Sequence, residues 1–409
     1  MRLKRWTAAL AAVMLLWTCV AQGEGITMFE EEWYRQALKD SVMSVGNNAR
    51  LKKVAERARK GEEITLATIG GSVTEGAGAD NYKECWAARL RVRFGAAYGA
   101  DNGMNVSLVN AGVGGTASPF GYMRYQREVV NRVPEKDADG LPDVVVIEYS
   151  VNDWQEPTNH RCYESMVKEI LDAPNEPAVI LLFAVFRNGW NLQDELKRIG
   201  SRYDLMMVSI RDGIYGHLGR EVAKEAFFFD EYHPKSLGHR IMTDCLMEAI
   251  AEAVEKDTDE APETDVSPVY GTDFLGLKTI FGDTESNEFT VERGGFRSVD
   301  NDSYHNQPVG WVCGRNFYHD ANDPMEPLRV TGVFRKCLVA WKAAGESGFG
   351  TAEILIDGKA VMSVKGGEGK WGQSEVVLVL DDREALEHTL EIRVKEEGKK
   401  CTITAIGLL

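Results

Sequence analysis

At 409 residues the chain is too long for one typical domain, so two domains are the natural expectation. With 44% hydrophobic and 27% charged residues, its composition is that of an ordinary soluble globular protein, and beyond the N-terminal leader no apolar run is long enough to cross a bilayer. The formal charge is −16. A surface this acidic repels phosphate backbones and anionic lipid, which argues against nucleic acid as a partner and favours a neutral one.

The N-terminus departs from the rest. Arg2, Lys4 and Arg5 precede an apolar run over 8–17, and small residues follow at Cys19 and Ala21. That is the layout of a signal peptide over 1–21, with cleavage after Ala21. A lipobox ending at Cys19 is the alternative, although Trp17 and Thr18 suit it poorly. The expectation is a secreted or extracytoplasmic protein with no membrane segment after processing. Loss of the three leader cations would take the charge from −16 to −19.

From there the chain falls into two textures. Residues 29–60 read as helix, with Trp33, Ala37, Val42, Leu51 and Val54 set among charges. Short apolar bursts follow at 64–69, 106–110, 144–149, 178–186 and 205–210. They are nearly continuous, as strands buried on both faces are. Amphipathic stretches at 84–94, 118–133, 162–172 and 191–202 separate them, and a last helix is expected over 236–255. Strands alternating with helices predict an α/β domain over 29–255, with a parallel sheet between helical layers.

Residues 256–268 are charged, carry two prolines and lack periodicity, which marks a linker. Over 269–409 helical patterns are scarce. Apolar segments at 338–341, 352–356, 374–380, 389–394 and 402–406, with a hairpin signal at Asp357-Gly358, predict an all-β sandwich of jelly-roll type. After leader removal Cys85, Cys162 and Cys245 fall in the first domain and Cys313, Cys337 and Cys401 in the second. Odd counts leave no complete disulfide set within either domain, and the absence of a Cys-x-x-Cys pair argues against a zinc ribbon.

Sites in open α/β sheets form beyond the carboxyl ends of the strands. The first burst ends in Gly70-Gly71-Ser72-Val73-Thr74-Glu75-Gly76, where paired glycines expose Ser72 at a helix start. Ser72-x-x-Glu75 is also a capping box, so a simple helix cap is the competing reading. The second burst ends in Asn110-Ala111-Gly112-Val113-Gly114-Gly115, a turn able to offer a backbone N–H to an anion, or an ordinary strand-to-helix turn. The third ends in Ser150-Val151-Asn152-Asp153-Trp154. Asn152 is placed to donate its amide N–H to developing negative charge, or to hold an Asx turn. After the last strand come Asp230 and His233, three apart and on one face of a helical turn, as a carboxylate-supported general base requires or as a surface ion pair would also give.

Together these blocks supply every part of an acyl-transfer site. Their order resembles the SGNH subgroup of the GDSL hydrolases over roughly 60–250. The resemblance implies a flavodoxin-like α/β/α domain with Ser72, Asp230 and His233 as catalytic triad. It implies an oxyanion hole from Ser72, Gly115 and Asn152. Gly71, Asp153, Trp154 and His160 are candidate substrate contacts, and His239 reads as structural. Gly-Gly-Ser replaces the family's Gly-Asp-Ser, and Ser-x-Asn-Asp replaces Gly-x-Asn-Asp. With the attached sandwich, this is similar to carbohydrate esterases that remove acetyl groups from plant polysaccharides. The implied activity is a serine esterase on acetylated carbohydrate, with no metal and no cofactor. A lipid esterase or thioesterase, or a non-catalytic glycan-binding protein, are the alternatives.

In the second domain Tyr304, Trp311, Phe317, Tyr318, Trp341 and Trp371 offer rings for sugar stacking, with Trp341 fitting the core instead. The loops Asp300-Asn301-Asp302 and Asp320-Ala321-Asn322-Asp323 are oxygen-rich, suited to calcium or to solvated turns.

Overall fold

A computed structural model describes residues 28–137, 140–302, 315–369 and 372–409. The leader over 1–21, Tyr304, Trp311, Cys313 and Trp371 lie outside the described residues.

The first domain is built on six strands: β1 (Val42–Ser44), β2 (Ile64–Gly70), β3 (Val106–Gly112), β4 (Val144–Glu148), β5 (Ala178–Phe183) and β6 (Met206–Ser209). Their spatial order is β1-β6-β5-β4-β2-β3. β2 to β6 run parallel, and β1 adds an antiparallel edge to β6. Burial on both faces explains the unbroken apolar bursts. Ile64, Leu66, Val144, Val146, Ile180 and Leu182 pack under the helices Glu32–Ser41, Ala49–Arg59, Trp86–Tyr98 and Ser236–Glu255. The alternate residues Ala67, Ile69, Val145, Ile147, Val179 and Leu181 face the helices Ser118–Glu128, Arg161–Leu171 and Gln193–Arg202.

The stretch over 29–60 is not one helix. It is two, Glu32–Ser41 and Ala49–Arg59, with β1 between them. Gly46 forces the break: it holds φ +61, and a Cβ there would lie 2.3 Å from the Leu205 carbonyl carbon.

The strand order reverses between β2 and β4, which opens a crevice at the carboxyl edge of the sheet. The loops leaving Gly70, Gly112 and Glu148 all meet there.

The named strands of the second domain all pair antiparallel: β7 (Lys278–Ile280), β8 (Thr290–Glu292), β9 (Phe317–His319), β10 (Leu328–Ala343), β11 (Thr351–Ile356), β12 (Lys359–Lys365), β13 (Gln373–Val394) and β14 (Cys401–Leu408). β10 and β13 form one long ribbon whose register shifts between Phe334 and Lys336 and again at Cys337/Leu338. Ahead of the shift the free edge of β10 takes β8, and beyond it β14. The ribbon thus passes through both layers of a sandwich, with Val330, Ile354 and Leu390 meeting Val339, Trp341 and Ile403 in its core. The segments expected at 374–380 and 389–394 are one strand. Residues 381–387 between them are exposed and mostly charged, which hides them from an apolar pattern; Asp381, Leu386 and Glu387 pair with β10, and 382–385 bulge out between them. Asp357 (φ +51) and Gly358 (φ +75) make the hairpin turn between β11 and β12.

The two domains share a core. Leu338, Ala340 and Ala405, on the outer face of the sandwich, cluster with Phe120, Met123 and Phe274. Beside them Arg161 pairs with Asp273 and Asp381, each at 2.8 Å, and Lys336 pairs with the same two carboxylates. The linker is pinned rather than free. Asn48 Nδ2 donates to the Asp257 carbonyl at 2.8 Å, and the Asp259 N–H donates to Asn48 Oδ1 at 2.9 Å. Further on, the buried Glu164 carboxylate accepts the backbone N–H groups of Val269, Tyr270 and Gly271.

Candidate active site

The turn after β2 is wedged between β3 and β4. A Cβ on Gly70 would lie 2.2 Å from Thr74 Oγ1, one on Gly71 2.2 Å from Asn152 Oδ1, and one on Gly112 2.1 Å from the Glu75 nitrogen. Only glycine fits these close approaches. Ser72 opens the short helix Ser72–Glu75 behind Gly71 as N-cap, and no side chain caps that helix. The capping-box reading therefore fails. Ser72 Oγ lies instead 2.9 Å from His233 Nε2, and the Glu75 carboxylate accepts the Gly114 N–H at 2.7 Å.

His233 Nδ1 lies 2.8 Å from Asp230 Oδ2. The other oxygen, Oδ1, accepts the backbone N–H of Tyr232 at 2.7 Å and of His233 at 2.8 Å. Burial pushes this carboxyl up, but those bonds outweigh it, the ring contact first, and hold it below the usual carboxylate range. Asp230 thus stays ionised and fixes the ring with Nε2 toward Ser72. The loop closes on itself through the bridge between Phe228 and Pro234, and Gly78 packs under it with no room for a Cβ against the Pro234 carbonyl.

The groups expected to hold an oxyanion lie in the loops that leave β2, β3 and β4. The Ser72 N–H is a first-turn donor with no acceptor inside its helix. Gly115 is exposed at φ +68, one residue beyond the N–H that Glu75 occupies. Asn152 is half-buried, with Oδ1 enclosed and unpartnered, so Nδ2 is the end it offers to the crevice.

The proposed substrate contacts separate. Trp154 is 68% exposed beside Asn152, whereas Gly71 is buried and serves to make space for the Asn152 side chain. Asp153 is only 1% exposed, so its carboxylate faces the protein and not a ligand. It accepts the Ser118 N–H at 2.7 Å and so ties the Asn152 loop to the start of the helix that follows Gly115. His160 sits at φ +62, its ring 5.0 Å from that of Tyr270 and its backbone N–H donating to Glu156. His239 is buried, with Nδ1 near the Trp86 N–H (3.3 Å) and Nε2 near the Ala77 carbonyl (3.1 Å), which braces the loop carrying Gly78.

Two groups were not legible beforehand. Glu148, at the end of β4, is buried, accepts from Thr74 Oγ1 at 3.1 Å and is pushed up to about 8 by burial. Phe186 and Trp190, in the turn after β5, stack with centroids 5.5 Å apart. The oxygen-rich loops of the second domain are used internally. Asp300 accepts from Lys342 Nζ at 3.0 Å and Thr402 Oγ1 at 2.7 Å, and Asp320 from the Tyr318 hydroxyl at 3.0 Å. Among the described residues no cluster of three or more His, Cys, Asp or Glu is placed to hold a metal ion, and no helix is long and apolar enough to cross a membrane. Cys85, Cys162, Cys245, Cys337 and Cys401 are buried free thiols.

This arrangement has a hydroxyl, an imidazole and a carboxylate in line, the equipment of nucleophilic acyl transfer. Residues 68–241 match the model of the GDSL-like lipase/acylhydrolase family. No curated protein matches the chain. Among solved structures, a two-domain esterase (CEX) active on acetylated mannans aligns with a TM-score of 0.77 at 23% identity, over 90% of this chain and 97% of that one. The same esterase co-crystallised with mannopentaose aligns at 0.75 and 22%, over the same shares. At such identities the likeness establishes the two-domain fold.

Proposed function

We propose that this chain, whose residues 68–241 match the model of the GDSL-like lipase/acylhydrolase family, is an exported serine esterase that removes acetyl groups from carbohydrate. The observation that carries the mechanism is the unbroken line Ser72 Oγ–His233 Nε2 (2.9 Å) and His233 Nδ1–Asp230 Oδ2 (2.8 Å). Ser72 Oγ attacks the ester carbonyl while His233 Nε2 takes its proton. The tetrahedral oxyanion is held by the N–H groups of Ser72 and Gly115 and by Asn152 Nδ2. Collapse breaks the bond to the alcohol oxygen, which leaves with the proton from His233. Water, deprotonated by the same imidazole, then releases acetate from the acyl-serine.

Support for a carbohydrate substrate comes from the shared two-domain fold, since the aligned esterase is active on acetylated mannans and was crystallised with mannopentaose. Support for export comes from the N-terminal leader. An active-site label tests the nucleophile. A fluorophosphonate should add once per chain, at Ser72, and not to the Ser72→Ala variant; labelling elsewhere, or none, contradicts it. Rates on 4-nitrophenyl esters of increasing chain length test the acyl group: an acetyl optimum is expected, and a long-chain optimum points to lipid.

A further inference from the structure

Among the described residues only three large aromatic side chains are exposed: Trp154 (68%), Phe229 (66%) and Tyr232 (49%). All three lie within two residues of Asn152, Asp230 or His233. Exposed rings are costly in water, and their confinement to the site loops points to a ligand with an apolar face.

The chemistry says which rings meet which part of that ligand. In the proposed mechanism the proton on His233 Nε2 is delivered to the leaving alcohol oxygen. The ring that bears this oxygen must therefore sit beside His233. Tyr232 has its ring centroid 6.2 Å from that of His233. On its other side Tyr232 meets Phe186 edge-on at 5.1 Å and 74°, and Phe186 stacks on Trp190 at 5.5 Å and 26°. A row of rings thus leads away from the catalytic imidazole.

The row is held rigid. In the turn after β5 the Phe186 N–H donates to the Trp190 carbonyl at 3.1 Å, the Gly189 N–H to the Phe186 carbonyl at 2.8 Å, and the Trp190 N–H to Asn188 Oδ1 at 2.9 Å. The Arg187 N–H donates to the Glu231 carbonyl at 3.0 Å and fastens this turn to the Asp230–His233 loop. A preformed surface of this kind binds without an ordering cost.

We propose that Tyr232, Phe186 and Trp190 form the subsite for the sugar that carries the ester and its chain neighbour, with the C–H faces of the sugars against the ring faces. The inference rests on the esterase reading above, and it assigns to these residues the choice of a glycan over a simple alcohol.

The test compares kcat/KM for acetate release from an O-acetylated manno-oligosaccharide with that from ethyl acetate, whose alcohol cannot stack. In Trp190→Ala and Tyr232→Ala the ratio should fall about 3- to 10-fold, mainly through KM on the oligosaccharide, while Tyr232→Phe keeps the ratio within about twofold. A ratio unmoved in both alanine variants, or Tyr232→Phe as damaged as Tyr232→Ala, overturns the subsite. Affinity for the deacetylated oligosaccharide, measured in the Ser72→Ala background, separates this failure from failure of the esterase reading. There Trp190→Ala should weaken binding by a similar factor, and unchanged affinity overturns the subsite whatever the catalytic result. Acetate released from neither ester by the unmodified protein overturns the esterase reading itself.

Discussion

Gly71 and Asn152 occupy a volume with room for one side chain: a Cβ on Gly71 would fall 2.2 Å from Asn152 Oδ1 and 2.7 Å from Nδ2. The glycine before the nucleophile therefore sets the position of a group in the loop after a different strand, β4. Gly71→Ala should displace the Asn152 amide and lower kcat at least about tenfold, approaching the fall of about 10²–10³ expected for Asn152→Ala. Steady-state kinetics on a short-acyl ester check both. Near-normal turnover in either variant removes Asn152 from oxyanion stabilisation.

Asp230 accepts two backbone N–H groups and the His233 ring, and is held below the ordinary carboxylate range. A carboxyl depressed on folding stabilises the native state above its unfolded value, about 3.9, and that contribution is lost as pH falls through the lower folded value. The Asp230–His233 pair should thus survive mild acid. Asp230→Asn removes the charge but keeps the shape, lets the ring take the wrong tautomer, and should lower kcat by about 10³–10⁴ at neutral pH. Kinetics from pH 5 to 9 check this, and a loss under tenfold contradicts the assigned role.

Glu148 gives the opposite sign. Burial raises its folded value to about 8, against about 4.3 when unfolded, so the native state binds the extra proton between these limits. Its contribution to stability falls as pH rises across that window. The unpartnered Oε1 agrees with a protonated group at neutral pH. Glu148→Gln mimics the neutral form, so the variant should gain relative to the parent as pH rises from 6 to 8. Urea midpoints at the two pH values check it.

Much of the site was legible because parallel strands read as apolar bursts, and each burst ends in a polar block. That pattern placed Ser72, Asn152, Asp230 and His233 at one edge of one sheet. It did not give the contact between Ser72 and His233, 161 residues apart, which depends on how the last loop folds back under Gly78. Carboxylates near the site were harder to read. Asp153 and Glu75 look like ligand contacts or caps in sequence, but they accept backbone N–H groups that tie neighbouring loops together. Phe186 was absorbed into the apolar burst of β5, so the stacked turn beyond it gave no signal. In the second domain, charge over 381–387 concealed the bulged middle of one long strand, whose two ends both pair with β10.

The shared core predicts coupled unfolding. Leu338 is fully buried on the face of β10 that meets the catalytic domain, so Leu338→Ala should cost about 2–5 kcal/mol. Calorimetry should show one transition in the parent protein and a lower Tm in the variant. Two separate transitions in the parent would mean that the domains unfold independently.

Release of acetate from an acetylated mannan, measured for the unmodified protein and for Ser72→Ala side by side, tests the central claim most directly. The expected result is steady acetate release by the unmodified protein and none above background by Ser72→Ala. Equal release from both, or none from either across a panel of acetylated mannans and xylans, contradicts deacetylation of a glycan by the Ser72 hydroxyl.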